Sequence, residues 1–215
     1  MLRFLFLVIF LFPLVAKSQI TKTYSTKNNS ENDTVKIEED EIITLSNQFN
    51  VDTLPTNQIK FKRNDFGSVK LQRSNKLKVA LFINDMWKLK KAGPNLQDEF
   101  YLQHVAYTTY VHVLTAAGES LSYQQIVDNL LQGTRRRDFD AEILTAEYRF
   151  VNENKLLFIE ISEKIKRFKV TTFYYIYIYK EGVTQISASV RTKELKYQKL
   201  DLMQLFNGFV ITDKD

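Results

Sequence analysis

The stretch Phe173-Tyr-Tyr-Ile-Tyr-Ile-Tyr179 places an aromatic or β-branched side chain at every position. Side chains alternate between the two faces of an extended strand, so this run presents bulky apolar groups on both. It therefore predicts a central strand of a sheet, with a helix packed on at least one face. One face, here called the tyrosine face, carries Phe173, Tyr175, Tyr177 and Tyr179. The other, the isoleucine face, carries Tyr174, Ile176 and Ile178.

Two interpretations of the tyrosine face remain open. If a helix covers that face, its rings belong to the core; if the face is open, four amphipathic rings in a row form a binding surface for a protein or a glycan. Two helices are predicted, and both lie most simply on one side of the sheet, over the isoleucine face. We therefore expect Tyr175, Tyr177 and Tyr179 to be at least partly accessible, and Phe173 to complete a candidate interaction surface.

Other strand-like runs surround the aromatic stretch and predict an antiparallel sheet. Residues 144–150 alternate apolar and polar side chains, the pattern of a strand with one wet face. Short polar turns at Asn152-Glu-Asn154 and Glu181-Gly182 join this run to its successors in a four-strand antiparallel meander. The remaining predicted strands cover residues 77–83, 100–104, 106–115, 155–161, 168–180 and 183–191.

Two segments carry helix signals, and with the strands they predict an α+β fold. Ser122-Tyr-Gln-Gln125 matches a capping box, in which the serine and glutamine side chains satisfy backbone amides at a helix start. Apolar residues then recur at spacings of three and four, and Gly133 is placed to end the helix in the left-handed conformation. A closing helix is predicted over residues 197–207, with Gly208 just past its end.

The order of elements is strand, tryptophan-containing turn, two strands, helix, four-strand meander and terminal helix. It resembles the PsbP-like fold of exported bacterial and photosynthetic-lumen proteins, over residues 77–211. The resemblance rests on Val79-Ala-Leu-Phe-Ile-Asn-Asp-Met-Trp87, residues 122–133 and Leu202-Met-Gln-Leu-Phe-Asn-Gly208; Asn84-Asp85-Met86 replaces the family's usual proline-containing approach to the tryptophan. It implies an antiparallel sheet with about two helices mainly on one face. It also implies an accessory role, because most members contact other proteins and few are enzymes.

The amino terminus predicts export. Arg3 precedes an apolar run over residues 4–16, which is shorter than the roughly 20 residues of a membrane-spanning helix. The small residues Ala16 and Ser18 predict cleavage before Gln19, so residues 1–18 form a signal peptide. The chain has no cysteine, which excludes a lipid-modified cysteine and disulfides. We expect a protein without a stable membrane anchor, periplasmic or secreted, of the Gram-negative bacterial type.

Composition divides the mature chain in two. Residues 19–58 contain three basic and seven acidic residues among Ser, Thr and Asn, with few apolar side chains. Such a segment buries too little apolar surface to offset its ordering entropy, so it predicts a flexible acidic spacer. Residues 59–215 carry an excess of basic residues and have the length of a single domain.

The sequence predicts no catalytic, cofactor or metal site. His104 and His112 would share one face of a continuous strand but lie far beyond common metal reach. Asp138, Asp140 and Glu142 lack the glycine and terminal glutamate of a calcium loop. The chain has neither a G-x-S-x-G elbow nor any G-x-G pair, which disfavours hydrolases and nucleotide cofactors. We therefore expect a non-enzymatic protein.

Arg135-Arg-Arg137 is the densest basic cluster and a second candidate interaction surface. It can bind an acidic partner, the chain's own Glu38-Glu-Asp-Glu41 or lipid headgroups, or it can be a solvated loop after Gly133. The leading function is an exported accessory protein that binds another envelope or secreted protein and does not bind nucleic acid. The alternative is a periplasmic carrier of a small apolar ligand held between sheet and helix.

Overall fold

A computed structural model describes residues 49–59, 70–91, 98–118, 121–180 and 182–212, and the structural statements below concern those residues. Asn50–Asp215 forms one compact unit. The predicted signal peptide and residues 19–48 of the predicted spacer lie outside the described residues.

Eleven strands form two sheets in the described residues. The larger sheet has eight strands in the order β1-β7-β8-β9-β10-β6-β5-β4, and the smaller has three in the order β11-β3-β2. In chain order the strands are β1 Thr56–Ile59, β2 Lys70–Arg73, β3 Val79–Ile83, β4 Trp87–Lys91, β5 Phe100–His104, β6 Tyr110–Ala117, β7 Glu142–Val151, β8 Asn154–Ile165, β9 Phe168–Tyr179, β10 Gly182–Arg191 and β11 Phe209–Ile211.

The predicted four-strand meander is confirmed. Strands β7, β8, β9 and β10 pair antiparallel with their sequence neighbours, and β9, which contains the aromatic stretch, lies inside the larger sheet. Asn152 and Glu153 form the predicted turn with φ of 49° and 68°. Those left-handed values suit the tight turn between two twisted antiparallel strands.

The predicted first helix is present and is longer than expected. Helix α1 covers Tyr123–Arg137, and the capping box is confirmed, since the Ser122 hydroxyl accepts the backbone N–H of Gln125 at 3.2 Å. Gly133 does not end the helix, and the Arg135–Arg137 cluster therefore lies in the last helical turn and not in a loop. The extension is held by contacts distant in sequence, because Asp138, the C-terminal cap, accepts the backbone N–H of Lys164.

The second helix, α2, covers Leu195–Phe206 and is followed by Gly208, as predicted. A Cβ atom at Gly208 would lie 2.7 Å from the carbonyl oxygen of Phe82, so the chain needs glycine to pass this close to β3. From there the chain enters β11, which pairs antiparallel with β3. Helix α2 is thus tied directly to the smaller sheet.

The two helices pack on opposite faces of the larger sheet, which corrects the predicted arrangement on one face. Tyr174 and Tyr175 are adjacent on β9, so their side chains point to opposite faces. Arg137 of α1 hydrogen-bonds Tyr174, whereas the ring of Phe206 of α2 lies 5.2 Å from the ring of Tyr175. The smaller sheet packs on the same face as α2, where Val79, Leu81 and Phe209 join the core that contains Tyr175.

Residues before 59, the predicted domain boundary, belong to the folded unit. Val51 is 4% exposed, and its backbone N–H donates to the side-chain oxygen of Gln124 at 3.1 Å. Strand β1 pairs parallel with β7 and extends the larger sheet by one strand, so this sheet is mixed, which corrects the predicted antiparallel sheet. The last residues of the predicted spacer therefore belong to the fold, because the open edge of β7 supplies backbone partners that composition does not reveal.

Candidate functional site

The structure places half of the tyrosine face in the core. Phe173 and Tyr175 are 0% exposed, and they pack against the rings of Phe158 and Phe206. The Tyr175 hydroxyl donates to Oδ1 of Asn207 at 2.7 Å and accepts from Arg149 at 2.9 Å. These two residues cannot form an interaction surface, because α2 covers the face that was expected to be open.

The outer end of the tyrosine face is only partly covered. Tyr177 and Tyr179 are half-buried, with ring centroids 6.3 Å apart, and the ring of Tyr177 lies 5.2 Å from that of Phe209. On the isoleucine face, Tyr174 and Ile176 are buried as expected. The predicted surface of four rings is therefore reduced to two half-buried tyrosines at the end of β9.

Two phenol groups between α1 and the larger sheet, those of Tyr123 and Tyr174, have raised pKa values. Burial raises the pKa of Tyr123 to about 12, although the backbone N–H of Ile178, which donates to its hydroxyl oxygen, opposes this rise. Burial also raises the pKa of Tyr174, with a further contribution from the nearby Glu163 carboxylate. Both tyrosines therefore remain neutral hydrogen-bonding groups at physiological pH.

The three arginines of the predicted basic cluster have different environments. Arg137 is committed to the fold, because its guanidinium donates to the Glu163 carboxylate from Nε at 3.1 Å and from Nη2 at 3.0 Å. Glu163 is 3% exposed, so Arg137 compensates a buried charge. Arg135 is half-buried and Arg136 is exposed, and both lie on the solvent side of the last turn of α1.

The two histidines lie on opposite faces of the larger sheet, which corrects the prediction that they share one. His104 of β5 lies opposite Trp87, whereas His112 of β6 lies opposite Tyr101 of β5. Tyr101 and His104 are three residues apart on the same strand and point to opposite faces, and His112 shares the face of Tyr101. His104 is buried, donates from Nε2 to Asp201 at 3.2 Å and accepts the backbone N–H of Ala106 at Nδ1. Among the described residues, no group of three or more histidine or acidic side chains could hold a metal ion.

Two acidic side chains, Glu160 and Asp138, have partners in the fold. Glu160 is 5% exposed and accepts hydrogen bonds from the Lys199 ammonium at 3.1 and 3.2 Å. Asp138 caps α1 and binds the backbone of the β8–β9 hairpin. Their geometry supports a structural role for both.

An open cleft of about 450 Å³ lies between β2 and β4, and sequence reasoning did not find it. We call it the strand-edge cleft. Its lining comes from both strands and from the turn that leads into β4: Lys70, Leu71, Gln72, Ile83, Asn84, Asp85, Trp87, Lys88, Leu89 and Lys90. The signal that could have revealed it is the alternation of apolar and basic residues in Trp87-Lys-Leu-Lys-Lys91.

The turn before β4 creates this cleft by carrying the chain from the smaller sheet to the larger one. The backbone N–H of Trp87 donates to the carbonyl of Asn84 at 3.2 Å, and the N–H of Met86 donates to the Asn84 side chain at 3.1 Å. Trp87 is 5% exposed and meets His104 edge-on at 4.8 Å, which anchors the start of β4. Within the described chain, β2 and β4 are each the last strand of their sheet.

The cleft combines exposed apolar side chains with unpaired cations. Leu71 is 38% exposed and Leu89 is 45% exposed, although both belong to strands. Lys70, Lys88 and Lys90 are exposed and form no ion pair with a described residue, while Asp85 is the one acidic residue of the lining. The arrangement suits a partner that offers backbone groups, apolar side chains and negative charge.

No protein-family model matches the sequence, and no curated protein matches it either. Solved structures do match. The solution structure of cyanobacterial PsbP (CyanoP) from Synechocystis sp. PCC 6803 aligns with a TM-score of 0.50 at 10% identity, covering 67% of this chain and 92% of that one. This chain has a PsbP-like fold.

The PsbP-like fold predicted from the order of elements is thus confirmed, and at this identity the likeness concerns the fold alone. A Pseudomonas aeruginosa protein of unknown function, described as a putative regulator, aligns with a TM-score of 0.41 at 11% identity over 67% of this chain and 97% of that one. A Bacteroides thetaiotaomicron protein aligns with a TM-score of 0.44 at 9% identity over 69% of this chain and 50% of that one. In the described part of this PsbP-like chain, neither helix has the length and apolarity needed to cross a membrane.

Proposed function

We propose that this chain is an exported, non-catalytic accessory protein that binds an extended acidic segment of another protein in the strand-edge cleft. The observation that carries the proposal is the pair of exposed leucines, Leu71 and Leu89, set among unpaired lysines between two strand edges. The export part rests on the apolar run of residues 4–16. Amino-terminal sequencing of protein from its host tests that part, and retention of Met1 would contradict it.

Strand addition is the binding mode that these features favour. The outer edge of β4 presents backbone N–H and C=O groups, and an extended peptide pairs with such an edge while its alternate side chains enter flanking pockets. Lys88 and Lys90 lie on one face of β4 and Leu89 lies on the other. A segment that alternates acidic and apolar residues therefore matches both faces of this edge.

Lysines on an edge strand also have a simpler explanation. Natural sheets often place them there because charged side chains discourage edge-to-edge aggregation. Leu71 and Leu89 work against that purpose, since exposed apolar groups on a strand edge invite pairing. Binding of a selected partner accounts for both residue types, whereas protection accounts for the lysines alone.

The alternative function, a carrier of a small apolar ligand, has less support. The apolar crevice between the two sheets, lined by Leu81, Phe100, Ile186 and Phe209 among others, has a volume of about 10 Å³. Ligand pockets usually measure about 300–1,000 Å³. This crevice is therefore a packing gap. The strand-edge cleft is large enough for a small ligand but is open and lined by lysines, so the protein-binding function is preferred.

A designed peptide tests the cleft. The probe is a fluorescent ten-residue peptide of alternating Glu and Val, measured by anisotropy against the protein. Lys88→Glu/Lys90→Glu should weaken binding about tenfold or more, because it reverses two charge contacts that are each worth roughly 1 kcal/mol. The same peptide with alternate backbone amides methylated should also bind weakly, because it cannot pair with β4.

The matched control changes the same amount of charge elsewhere. Arg167→Glu/Lys169→Glu lies on the β8–β9 hairpin and should leave peptide affinity unchanged within about twofold. Equal losses in the two double variants would reduce the effect to net charge and overturn the cleft as the site. Undiminished binding of the methylated peptide would overturn strand addition.

A further inference from the structure

Basic side chains from three separate segments meet at one end of the larger sheet, which we call the basic end. The end of α1 is joined to β8 by the Arg137–Glu163 pair and by the Asp138 carboxylate, which accepts the backbone N–H of Lys164. The guanidinium of Arg191, at the end of β10, lies 4.2 Å from the centroid of the Phe168 ring. The basic end comprises Arg135, Arg136, Lys164, Arg167, Lys169 and Lys193.

Basic residues outnumber acidic residues at this end. Of the five acidic residues here, Glu163 is engaged by Arg137, Glu194 by Arg191 at 3.7 Å and Asp138 by backbone N–H groups, while Asp140 and Glu142 are exposed. The hairpin segment Lys164-Ile-Lys-Arg-Phe-Lys169 contains four basic residues and no acidic one. Lys164 lies directly opposite Lys169 in the register of β8 and β9. Like charges in that position destabilise a strand pair.

The turn of the same hairpin also departs from local preference. Ile165 pairs with Phe168, so Lys166 and Arg167 form a two-residue turn, and Lys166 has φ of 55°. Asparagine and glycine suit such left-handed positions, and the β7–β8 turn does begin with Asn152. A lysine therefore occupies a left-handed position that its side chain rarely adopts. A strained turn within a run of basic residues points to a function for the tip.

An exposed aromatic ring projects from the same end of the sheet. Phe139 is 78% exposed in the turn after α1, where the backbone N–H of Ala141 closes onto the Asp138 carbonyl at 3.2 Å. The preceding residue, Asp138, binds the β8–β9 hairpin, so Phe139 projects from the basic end itself. A solvent-exposed phenyl ring at an end of the molecule that is rich in cations suits the boundary between lipid headgroups and acyl chains.

We propose that the basic end rests on an anionic phospholipid bilayer, with its cations over the headgroups and the Phe139 ring inserted at the interface. A membrane fits this surface better than an acidic protein, because the cations come from separate strand and helix ends and line no single groove. Headgroups adapt to such a layout, whereas a protein would need a fitted pocket for the ring. The site is independent of the strand-edge cleft, since β4 lies four strands from β9, about 20 Å across the sheet.

Vesicle sedimentation tests the proposal on protein purified as its host processes it. Vesicles of phosphatidylglycerol and phosphatidylcholine are compared with vesicles of phosphatidylcholine alone. We expect binding only to the anionic vesicles, with loss in high salt. A single basic residue near an anionic surface contributes a factor of about five to partitioning, so Arg167→Glu/Lys169→Glu should reduce binding by about 25-fold or more. Phe139→Ser should reduce binding several-fold at low salt.

Two comparisons separate a membrane site from trivial causes. Lys88→Glu/Lys90→Glu carries the same charge change on the strand-edge cleft and should bind vesicles like the unaltered protein. Lys169→Glu alone replaces a like-charged cross-strand pair by an opposite-charged one, so it should raise Tm slightly while weakening vesicle binding. That combination excludes unfolding as the reason for the loss.

Three results would overturn the proposal. The first is equal loss of vesicle binding in the two charge-matched double variants, which would reduce the effect to net charge. The second is equal binding to neutral and anionic vesicles. The third is binding to polyglutamate, but not to anionic vesicles, that depends on Arg167 and Lys169; this would assign the basic end to an acidic protein.

Discussion

The two faces of β9 differ in the way that they are closed. On the isoleucine face, α1 supplies a single layer whose polar anchor is the Arg137–Glu163 pair beside Tyr174. On the tyrosine face, α2 and the smaller sheet together bury Tyr175, and the cluster of rings around it carries most of the contact. The adjacent residues Tyr174 and Tyr175 are therefore both buried but in different surroundings: Tyr174 lies beside a buried ion pair and Tyr175 lies within an aromatic cluster.

The largest expected effect comes from emptying the aromatic cluster. Tyr175→Ala removes a ring that is 0% exposed and leaves Arg149 and Asn207 without the hydroxyl between them. Truncating a buried aromatic residue costs about 3–5 kcal/mol of unfolding free energy. Urea denaturation measures this. Half-buried Tyr177 is the control on the same face, and an equal cost for Tyr177→Ala would contradict the closure described for that face.

A smaller effect is expected from breaking the anchor of the isoleucine face. Arg137→Ala leaves Glu163, whose side chain is 2% exposed, without its cation. Loss of one partner from a buried pair costs about 3–5 kcal/mol, and because the Arg137 side chain is 33% exposed the expected cost here is about 1–3 kcal/mol. Arg136→Ala is the matched control, since Arg136 is exposed in the same helical turn and should change the unfolding free energy by less than about 0.5 kcal/mol.

The last effect is confined to alkaline pH and tests the start of α1 on the isoleucine face. The folded pKa of Tyr123, about 12, lies above its ordinary value of 10.0. Below about pH 10 both folded and unfolded chains keep this proton, so the stability contribution is complete. Between pH 10 and pH 12 the unfolded chain ionises first, and the unfolding free energy falls.

Denaturation curves measured across that pH range check the sign. Tyrosine absorbance near 295 nm follows the ionisation itself, and Tyr123→Phe should remove its part of the alkaline loss while costing the hydrogen bond from the Ile178 N–H. Stability that is constant from pH 9 to pH 12 would contradict the burial of these phenols. The polar closure described for the isoleucine face would then be wrong.

The parts of the fold that could be predicted are those whose signal is local. The aromatic stretch places β9 inside the sheet, Ser122 and Gln125 mark the start of α1, and Asn152 marks the β7–β8 turn. These features depend on neighbours within a few residues, so the spacing of apolar side chains or a helix-capping motif reveals them directly. The order of elements was also enough to predict the PsbP-like fold.

The missed parts depend on contacts between residues far apart in the chain. Strands β2 and β11 are four and three residues long, too short to show a period, and without them the tyrosine face looks open. Gly133 stays helical because Asp138 and Arg137 bind the distant β8. The Arg135–Arg137 cluster was visible in the sequence, but its proximity to the hairpin at Lys164–Lys169 could be recognised only once the strand register was known.

The pairing of β1 with β7 sets an order on the biogenesis of this protein. β1 is synthesised early, yet Asn57 meets its partner Glu147 across 90 residues of chain. Parallel pairing cannot be completed through a hairpin, so β1 must wait until β7 has been made. Its residues Thr56-Asn-Gln are polar and exposed, which keeps the waiting segment compatible with water. The first strand of the sheet to leave the ribosome is thus held back until the edge that receives it exists.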